Sequence, residues 1–196
     1  DDTPKVAEYI AECSRLGIEV VPPHVNVSSE RFTPKDGKIY FGLLAVRNVG
    51  AGFIREIERE RETGGEFKSF YSFCNRMQDK EFNKRAVESL IKCGALDGLG
   101  ANRRQMLYAF PEISAQLEND RRRNIDGQLG FFDAAPSEAP QGEYRMPTLE
   151  EMDKRELLRL EKEMTGLYLM GHPMAEYEQL AERLGCANTA DLRNAD

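Results

Sequence analysis

The tetrapeptide Val49-Gly50-Ala51-Gly52 constrains this 196-residue chain more than any other stretch. Leu43, Leu44 and Val46 precede it at helical spacing, and Phe53, Ile54 and Ile57 follow in a charged helix ending near Gly64-Gly65. Residues this small let two helices meet at a sharp corner and let the backbone approach a ligand closely. They also leave the first amides of the second helix without intrahelical acceptors. With the helix dipole behind them, such amides favour a phosphate. A dinucleotide fingerprint is the poorer reading, because Gly50-x-Gly52 lacks a third glycine and no β-α-β unit surrounds it.

This is the logic of a helix-hairpin-helix motif, which grips the sugar-phosphate backbone of DNA without reading sequence. Val49, Gly50, Ala51 and Gly52 are therefore candidate DNA contacts, with Arg47 and Arg55 flanking them. The competing reading is a helix-helix turn that binds nothing. A second corner follows the helix capped by Asn83, whose Val87, Leu90 and Ile91 share one face and which ends at Gly94. Gly94-Ala95-Leu96-Asp97-Gly98-Leu99-Gly100 then leads to a helix starting at Asn102. Six bases lie between Lys80 and Arg104 against three acids, and Lys84, Arg85, Lys92, Gly94 and Arg103 join the candidates. A solvated helical face is the plainer alternative. Paired corners of this kind predict one compact domain clasping both strands across a minor groove.

Elsewhere the pattern is mainly helical, with a small β-element near the start. Val6, Tyr9, Ile10, Cys13 and Leu16 recur at helical spacing after Thr3-Pro4, and Gly17 ends that helix. Ile18–Val21 is a β-branched run closed by Pro22-Pro23, and Pro34-Lys35-Asp36-Gly37 is a turn between extended segments. Ser69 caps a short helix with Phe70, Phe73 and Met77. The helix from Asn102 carries Met106, Leu107 and Phe110, with an interruption at Pro111. Residues 133–147 read as a flexible linker by composition. Thr148-Leu149-Glu150-Glu151 is a capping box expected to open a helix holding Leu157, Leu158, Leu160 and Met164, and a last helix covers about Met174 to Leu184.

Charge sharpens the picture. The formal net charge is -7, but 14 acids and 7 bases lie between Asp133 and Asp196, while residues 1–132 carry 20 of each. The first two thirds are neutral with local basic clusters, which leaves nucleic acid open as a partner. No stretch approaches the roughly 20 apolar residues of a membrane helix. The start, Asp1-Asp2-Thr3-Pro4, lacks an initiator Met and a signal-peptide pattern, and is expected to be the interior of a longer polypeptide. Cys13, Cys74, Cys93 and Cys186 form no C-x-x-C pair, so neither a disulfide framework nor a zinc site is expected, and the compartment is expected to be the cytoplasm. His24 and His172 are isolated. Acids such as Glu56, Glu58, Glu60 and Glu62 are scattered over helices, and no catalytic constellation is present.

One further motif stands apart. Gln128-Leu129-Gly130-Phe131-Phe132 places two aromatics and a leucine between Arg121-Arg122-Arg123 and the linker. Such an apolar run calls for a partner to bury it. Gln-Leu-x-apolar-Phe resembles the peptide with which bacterial polymerases and repair proteins dock on the sliding clamp, apolar side chains filling a pocket and Gln making polar contacts. The other reading folds Leu129, Phe131 and Phe132 back on their own domain.

Taken in order, the blocks resemble the C-family replicative polymerases, the bacterial DNA polymerase III alpha subunits. The resemblance rests on Tyr9–Cys13 with Leu16-Gly17-Ile18, Pro22–Asn26, Phe41-Gly42 leading to Val49–Gly52, and Asn83-Lys84-Arg85. It continues through Leu90–Asp97, Asn102-Arg103, Gln128–Phe132, Glu161-Lys162-Glu163, Gly166–Leu169 and Gly171-His172-Pro173. It implies that residues 1–40 end a fingers domain, 41–126 form a tandem helix-hairpin-helix domain, 127–147 carry the clamp motif and linker, and 148–196 lead toward an oligonucleotide-binding fold. It implies primer-template duplex DNA, the sliding clamp and other holoenzyme subunits as partners. The family's catalytic aspartates and their Mg2+ lie in a palm that nothing here matches, so no cofactor is expected in this segment. The rival is a stand-alone helix-hairpin-helix repair accessory protein. Three positions depart from the family pattern: His24 where Asp is common, Asn48 where Gly is common, and Phe131 where Leu or Met is usual. Asn tolerates positive φ, so the first corner is expected to survive.

Overall fold

The computed structural model describes residues 3–78, 83–125 and 144–186. Helix α1 (Thr3–Arg15) carries Val6, Ile10 and Cys13 on the face it turns inward, yet none of its residues is fully buried. Gly17 ends it at φ 74, with the Ile18 amide donating to Cys13 O (2.8 Å) and the Gly17 amide to Ser14 O (3.0 Å). This reciprocal pair is the Schellman stop that glycine permits. The chain then enters a three-stranded sheet of β1 (Glu19–Val21), β2 (Thr33–Lys35) and β3 (Lys38–Tyr40), in the order β1-β3-β2. β1 runs parallel to β3 with Val20 opposite Ile39, and β2 is antiparallel to β3 with Pro34 opposite Ile39. The turn is shorter than the sequence predicts: only Asp36 (φ 52) and Gly37 (φ 76) turn, and Pro34 and Lys35 belong to the strand. Two consecutive positive φ values suit a right-twisted two-residue hairpin. Pro34 is on an edge strand, where its missing amide costs no ladder bond.

The remaining helices are α2 (Ala51–Gly64), α3 (Phe70–Met77), α4 (Lys84–Lys92), α5 (Arg103–Ile125), α6 (Lys154–Thr165) and the short α7 (Glu178–Arg183). Their caps follow local chemistry. Ser69 Oγ accepts from the Ser72 amide (3.1 Å) and Asn83 Oδ1 from the Arg85 amide (3.0 Å). Asn102 and Gln105 cap reciprocally, with the Gln105 amide donating to Asn102 Oδ1 (2.8 Å) and the Asn102 amide to Gln105 Oε1 (2.9 Å). α5 passes through Pro111 without a break, and its Met106, Ala109, Phe110, Ile113 and Leu117 form a buried stripe. One core joins this stripe to Phe53, Ile54 and Ile57 of α2, Phe70, Phe73 and Met77 of α3, Val87, Leu90 and Ile91 of α4, and Met164 of α6.

Two expectations about helices change. Leu43–Ala45 forms a single 3-10 turn rather than a helix, because the Arg47 amide, which a continuing helix would direct to Leu43 O, donates to Met164 O (2.9 Å) and Asn48 turns to φ 63. Thr148 does not open α6, which is capped instead by Asp153, its carboxylate accepting from the Glu156 amide (2.8 Å). His24 has a structural role: it receives the Asn26 amide at Nδ1 (3.1 Å) and faces Asp97 O with Nε2 (3.1 Å). The backbone donor makes Nδ1 the acceptor, so Nε2 carries the proton and donates.

Asn26 ties this small N-terminal region to the helices: its Oδ1 accepts from the Phe67 amide and its Nδ2 donates to Phe67 O, both at 2.9 Å. Asn26→Ala leaves both Phe67 main-chain groups unpaired, and urea unfolding is expected to register a loss of about 2 kcal/mol.

Candidate nucleic-acid interface

The two glycine corners differ in what their amides touch. At the first, Gly50 is the extended N-cap of α2 (φ -92, ψ 154) and supplies no side-chain cap. The Ile54 amide bonds Gly50 O (3.1 Å), the first intrahelical bond, while the Ala51, Gly52 and Phe53 amides have no acceptor among the described residues. Gly50 is exposed, and a Cβ there would meet nothing within 4 Å. Val49 is buried and anchors the corner. This is an open helix N-terminus of the kind that receives an anion.

Its setting is basic on one side. Arg47 is exposed and has no ionic partner among the described residues, and its amide donates to Met164 O at the end of α6 (2.9 Å). Asn48 adopts φ 63, as expected of a residue standing in for glycine, and its Nδ2 donates to Ser89 Oγ of α4 (3.0 Å). Ser89 shares a helical face with Arg85, four residues before, and Lys92, three after. Arg85 is exposed and Lys92 half-buried, and neither has an ionic partner among the described residues. Arg55 is 3.4 Å from Glu30, an exposed pair that contributes little and leaves the guanidinium accessible. Lys84 is correctly placed in sequence but turns to α5, its Nζ 2.8 Å from Glu118.

The second corner is closed, which overturns the expected roles of Gly94 and Arg103. Gly94 is buried at φ 83, and its amide already donates to Ile91 O (3.0 Å). Arg103 retains only 2% of its side-chain exposure. Its Nε and Nη2 hold Asp97 at 2.9 and 2.6 Å, Nη1 donates to Lys92 O (3.2 Å), and Nη2 also meets Met170 Sδ (3.2 Å). The guanidinium lies so close over Gly94 that a Cβ would stand 2.1 Å from Nη2. Neither residue has a face for DNA, because both form the inner wall of the corner. The N-terminus of α5 is filled as well. Glu151 accepts the Arg103 amide at Oε2 (2.9 Å) and the Arg104 amide at Oε1 (3.1 Å). An internal carboxylate thus takes the position a phosphate would need.

Glu151 belongs to an extended strap, residues 144–153, laid along α5. Asn102 Nδ2 donates to Leu149 O (2.8 Å), Gln105 Nε2 to Pro147 O (2.6 Å), and Tyr144 Oη to Glu112 Oε2 (2.5 Å). Sequence reasoning missed this strap and the buried Glu161. Glu161 of α6 is fully buried, its Oε2 accepting the Leu169 (2.9 Å) and Met170 (3.2 Å) amides while Oε1 has no partner. Burial pushes its carboxyl above the usual range, against the two amides and the Arg103 charge.

Gln128, Leu129, Gly130, Phe131 and Phe132 lie outside the described residues. Burial pushes the Cys93 thiol up to about 12, and the Cys74 thiol is raised for the same reason. No group of three or more His, Cys, Asp or Glu among the described residues could hold a metal ion. No described helix is long and apolar enough to cross a membrane.

These features define a helix-hairpin-helix module, and the family model described as a helix-hairpin-helix motif matches residues 17–106. The particular relatives are DNA polymerase III alpha subunits. The chain is similar to a segment of the DNA polymerase III alpha subunit, with 42% identity to that of Thermus aquaticus over 188 residues, covering 94% of this chain and 15% of that protein. Identity is 35% to the alpha subunit of Vibrio cholerae (95% of this chain, 16% of that protein) and 34% to that of Deinococcus radiodurans (94% and 14%). The chain thus spans about one-sixth of the length of the curated relatives it matches, from 14% to 16% in these three.

Two outcomes test this account of the closed corner. Gly94→Ala forces a methyl into the Arg103 guanidinium at a left-handed φ, and is expected to destabilise by about 2–4 kcal/mol in urea unfolding. Glu161 favours folding most when protonated, so its contribution is fully present below the ordinary Glu value of about 4.3 and is lost as pH rises through its elevated folded value. The unfolding free energy of Glu161→Gln relative to wild type should therefore move in the variant's favour between pH 4 and pH 8. A constant difference would show that Glu161 does not titrate in its pocket.

Proposed function

We propose that this chain is the part of a replicative DNA polymerase that holds duplex DNA and tethers the enzyme to the sliding clamp. The observation that carries the first half is the open N-terminus of α2 beside Arg47 and Arg85, which have no ionic partner among the described residues. Phosphates seated on the Ala51, Gly52 and Phe53 amides would be neutralised by those cations, with Arg55 and Lys92 at the flanks. Binding of this type touches main-chain phosphates and not base edges, so it serves a polymerase that must hold every sequence equally. The closed second corner makes the grip one-sided: it supports the fold from beneath, and the first corner meets the DNA.

The tether is Gln128–Phe132, by its likeness to clamp-docking peptides. A tether raises the effective concentration of polymerase at the primer end without a tight single contact. Nucleotidyl transfer, with its Mg2+, belongs to palm residues this chain does not match, and the wider partners are the other subunits of a cytoplasmic holoenzyme. The boundaries 1–40, 41–126, 127–147 and 148–196 divide the chain into fingers end, duplex grip, tether and approach to an oligonucleotide-binding fold.

Fluorescence anisotropy with short duplexes tests the grip. Unrelated sequences should bind equally, and log K should fall linearly with log salt at about -0.9 per phosphate neutralised. Arg47→Glu with Arg85→Glu should weaken binding at least about ten-fold and flatten that slope by about two. Unchanged binding in the double variant at low salt would remove the assignment. Separately, Gln128→Ala with Phe131→Ala and Phe132→Ala should abolish capture by immobilised sliding clamp while leaving duplex binding intact; persistent capture would refute the tether.

A further inference from the structure

We infer that Asn48 is the positioning residue of the duplex-binding face. Its side chain joins the open corner to α4, so that the amides of α2 and the cations of α4 form one phosphate-binding surface instead of two independent ones. The inference rests on the reading of that face as the DNA grip.

Three observations support it. The first concerns backbone. Asn48 sits at φ 63, a conformation glycine adopts freely and asparagine tolerates. A glycine at this place would serve the turn alone, and the asparagine adds a side chain where none is needed for conformation. The second concerns what that side chain does. Nδ2 donates to Ser89 Oγ at 3.0 Å, a contact spanning 41 residues, and Ser89 is 2% exposed, so the acceptor is fixed in the wall of α4. The third concerns geometry on α4. Arg85 and Lys92 lie one turn to either side of Ser89 on the same helical face, which puts them beside the hydrogen bond that seats the corner.

The adjacent bond completes the restraint. The Arg47 amide donates to Met164 O (2.9 Å), so the two residues before Val49 are held by different helices, Arg47 by α6 and Asn48 by α4. Between them these contacts set both the tilt of the corner and its register along α4. Phosphates on one DNA strand are spaced regularly, so two cationic elements cooperate only if their separation is fixed. A corner free to slide along α4 would bind phosphates at α2 or at α4 with little gain from having both. Glu88, next to Ser89 on the exposed side of α4, makes correct register matter further, because a shifted corner would bring a phosphate toward that carboxylate.

The test compares wild type, Asn48→Gly, Ser89→Ala and the double variant, each as the 196-residue chain, in duplex-binding titrations across a salt series. Asn48→Gly preserves the left-handed turn, so the variant should fold with a cooperative urea transition, its midpoint lowered only by the loss of one hydrogen bond. Its dissociation constant is expected to rise about five-fold, and the slope of log K against log salt to shrink by one to two phosphates. Ser89→Ala should give the same change, and the double variant no more than either single, since both remove one contact. Wild-type affinity and slope in Asn48→Gly, or losses that multiply in the double variant, would overturn the positioning role while leaving the grip itself standing. A wild-type chain that binds no duplex at low salt would overturn the grip and this inference with it.

Discussion

The buried guanidinium of Arg103 is the contact on which the arrangement depends. Four segments that have no local reason to meet converge on it: the end of α4 through Lys92 O, the second corner through Asp97, the start of α5 that carries it, and the C-terminal stretch through Met170. A cation this deep is tolerable only because nearly every donor is used and a carboxylate faces it at 2.6 Å. Gly94 is the matching constraint, since no side chain fits beneath the planar group. The pair explains why the second corner is packed inward even though its sequence reads like the first. Charge and glycine were both present, but they were directed at each other.

That internal pairing also governs what faces outward. Glu151 satisfies the first amides of α5, whereas those of α2 have no acceptor among the described residues. The two corners, expected to be equivalent, differ: one is packed inward and the other leaves its amides open. Rigidity is useful here. Amides bind a phosphate well only if they need not reorganise to do so, and α2 is held by Phe53, Ile54 and Ile57 in the common core. Arg61 and Arg76 reinforce it from the far end, Arg61 Nη1 reaching Val25 O (3.0 Å) and Ser28 O (2.8 Å), and Arg76 Nη1 reaching Gly65 O (3.0 Å) over the face of Phe67.

Sequence reading succeeded wherever the deciding interaction lies within a few residues. Gly17 stops α1, Ser69 and Asn83 cap their helices, Asn102 opens α5, and Asn48 accepts a left-handed φ, all through contacts of short reach. The family resemblance carried the global assignment, which the helix-hairpin-helix match and the alpha-subunit relatives support. The failures are equally physical. Thr148 and Glu151 form a capping box on paper, yet Glu151 caps a helix 48 residues upstream. The carbonyls of Pro147 and Leu149 are claimed by Gln105 and Asn102, which keeps the strap extended and moves the start of α6 to Asp153. Leu43–Ala45 shows the helical pattern of a buried segment, but the Arg47 amide that would extend the helix is committed to Met164 O and Asn48 leaves the helical region. Basic residues were counted correctly, and only coordinates could say that Lys84 faces Glu118 and Arg103 faces Asp97.

The strap therefore has a consequence for how the module is built. A helix N-terminus in a small domain carries unpaired amides that must be satisfied by solvent, a ligand or the protein itself. α5 solves this with a carboxylate delivered from far along the chain, and the same carboxylate fixes the strap, since Glu151 Oε1 also accepts the Met152 amide (2.9 Å). α2 leaves the problem to solvent or ligand. A phosphate that seats on α2 gains what Glu151 already supplies at α5, so the difference between the two corners is the difference between a site that is part of the fold and one held ready by it. Selection for stability alone would close both. On the proposed function, a phosphate of the duplex would complete the open corner beside Arg47 and Arg85, which have no ionic partner among the described residues.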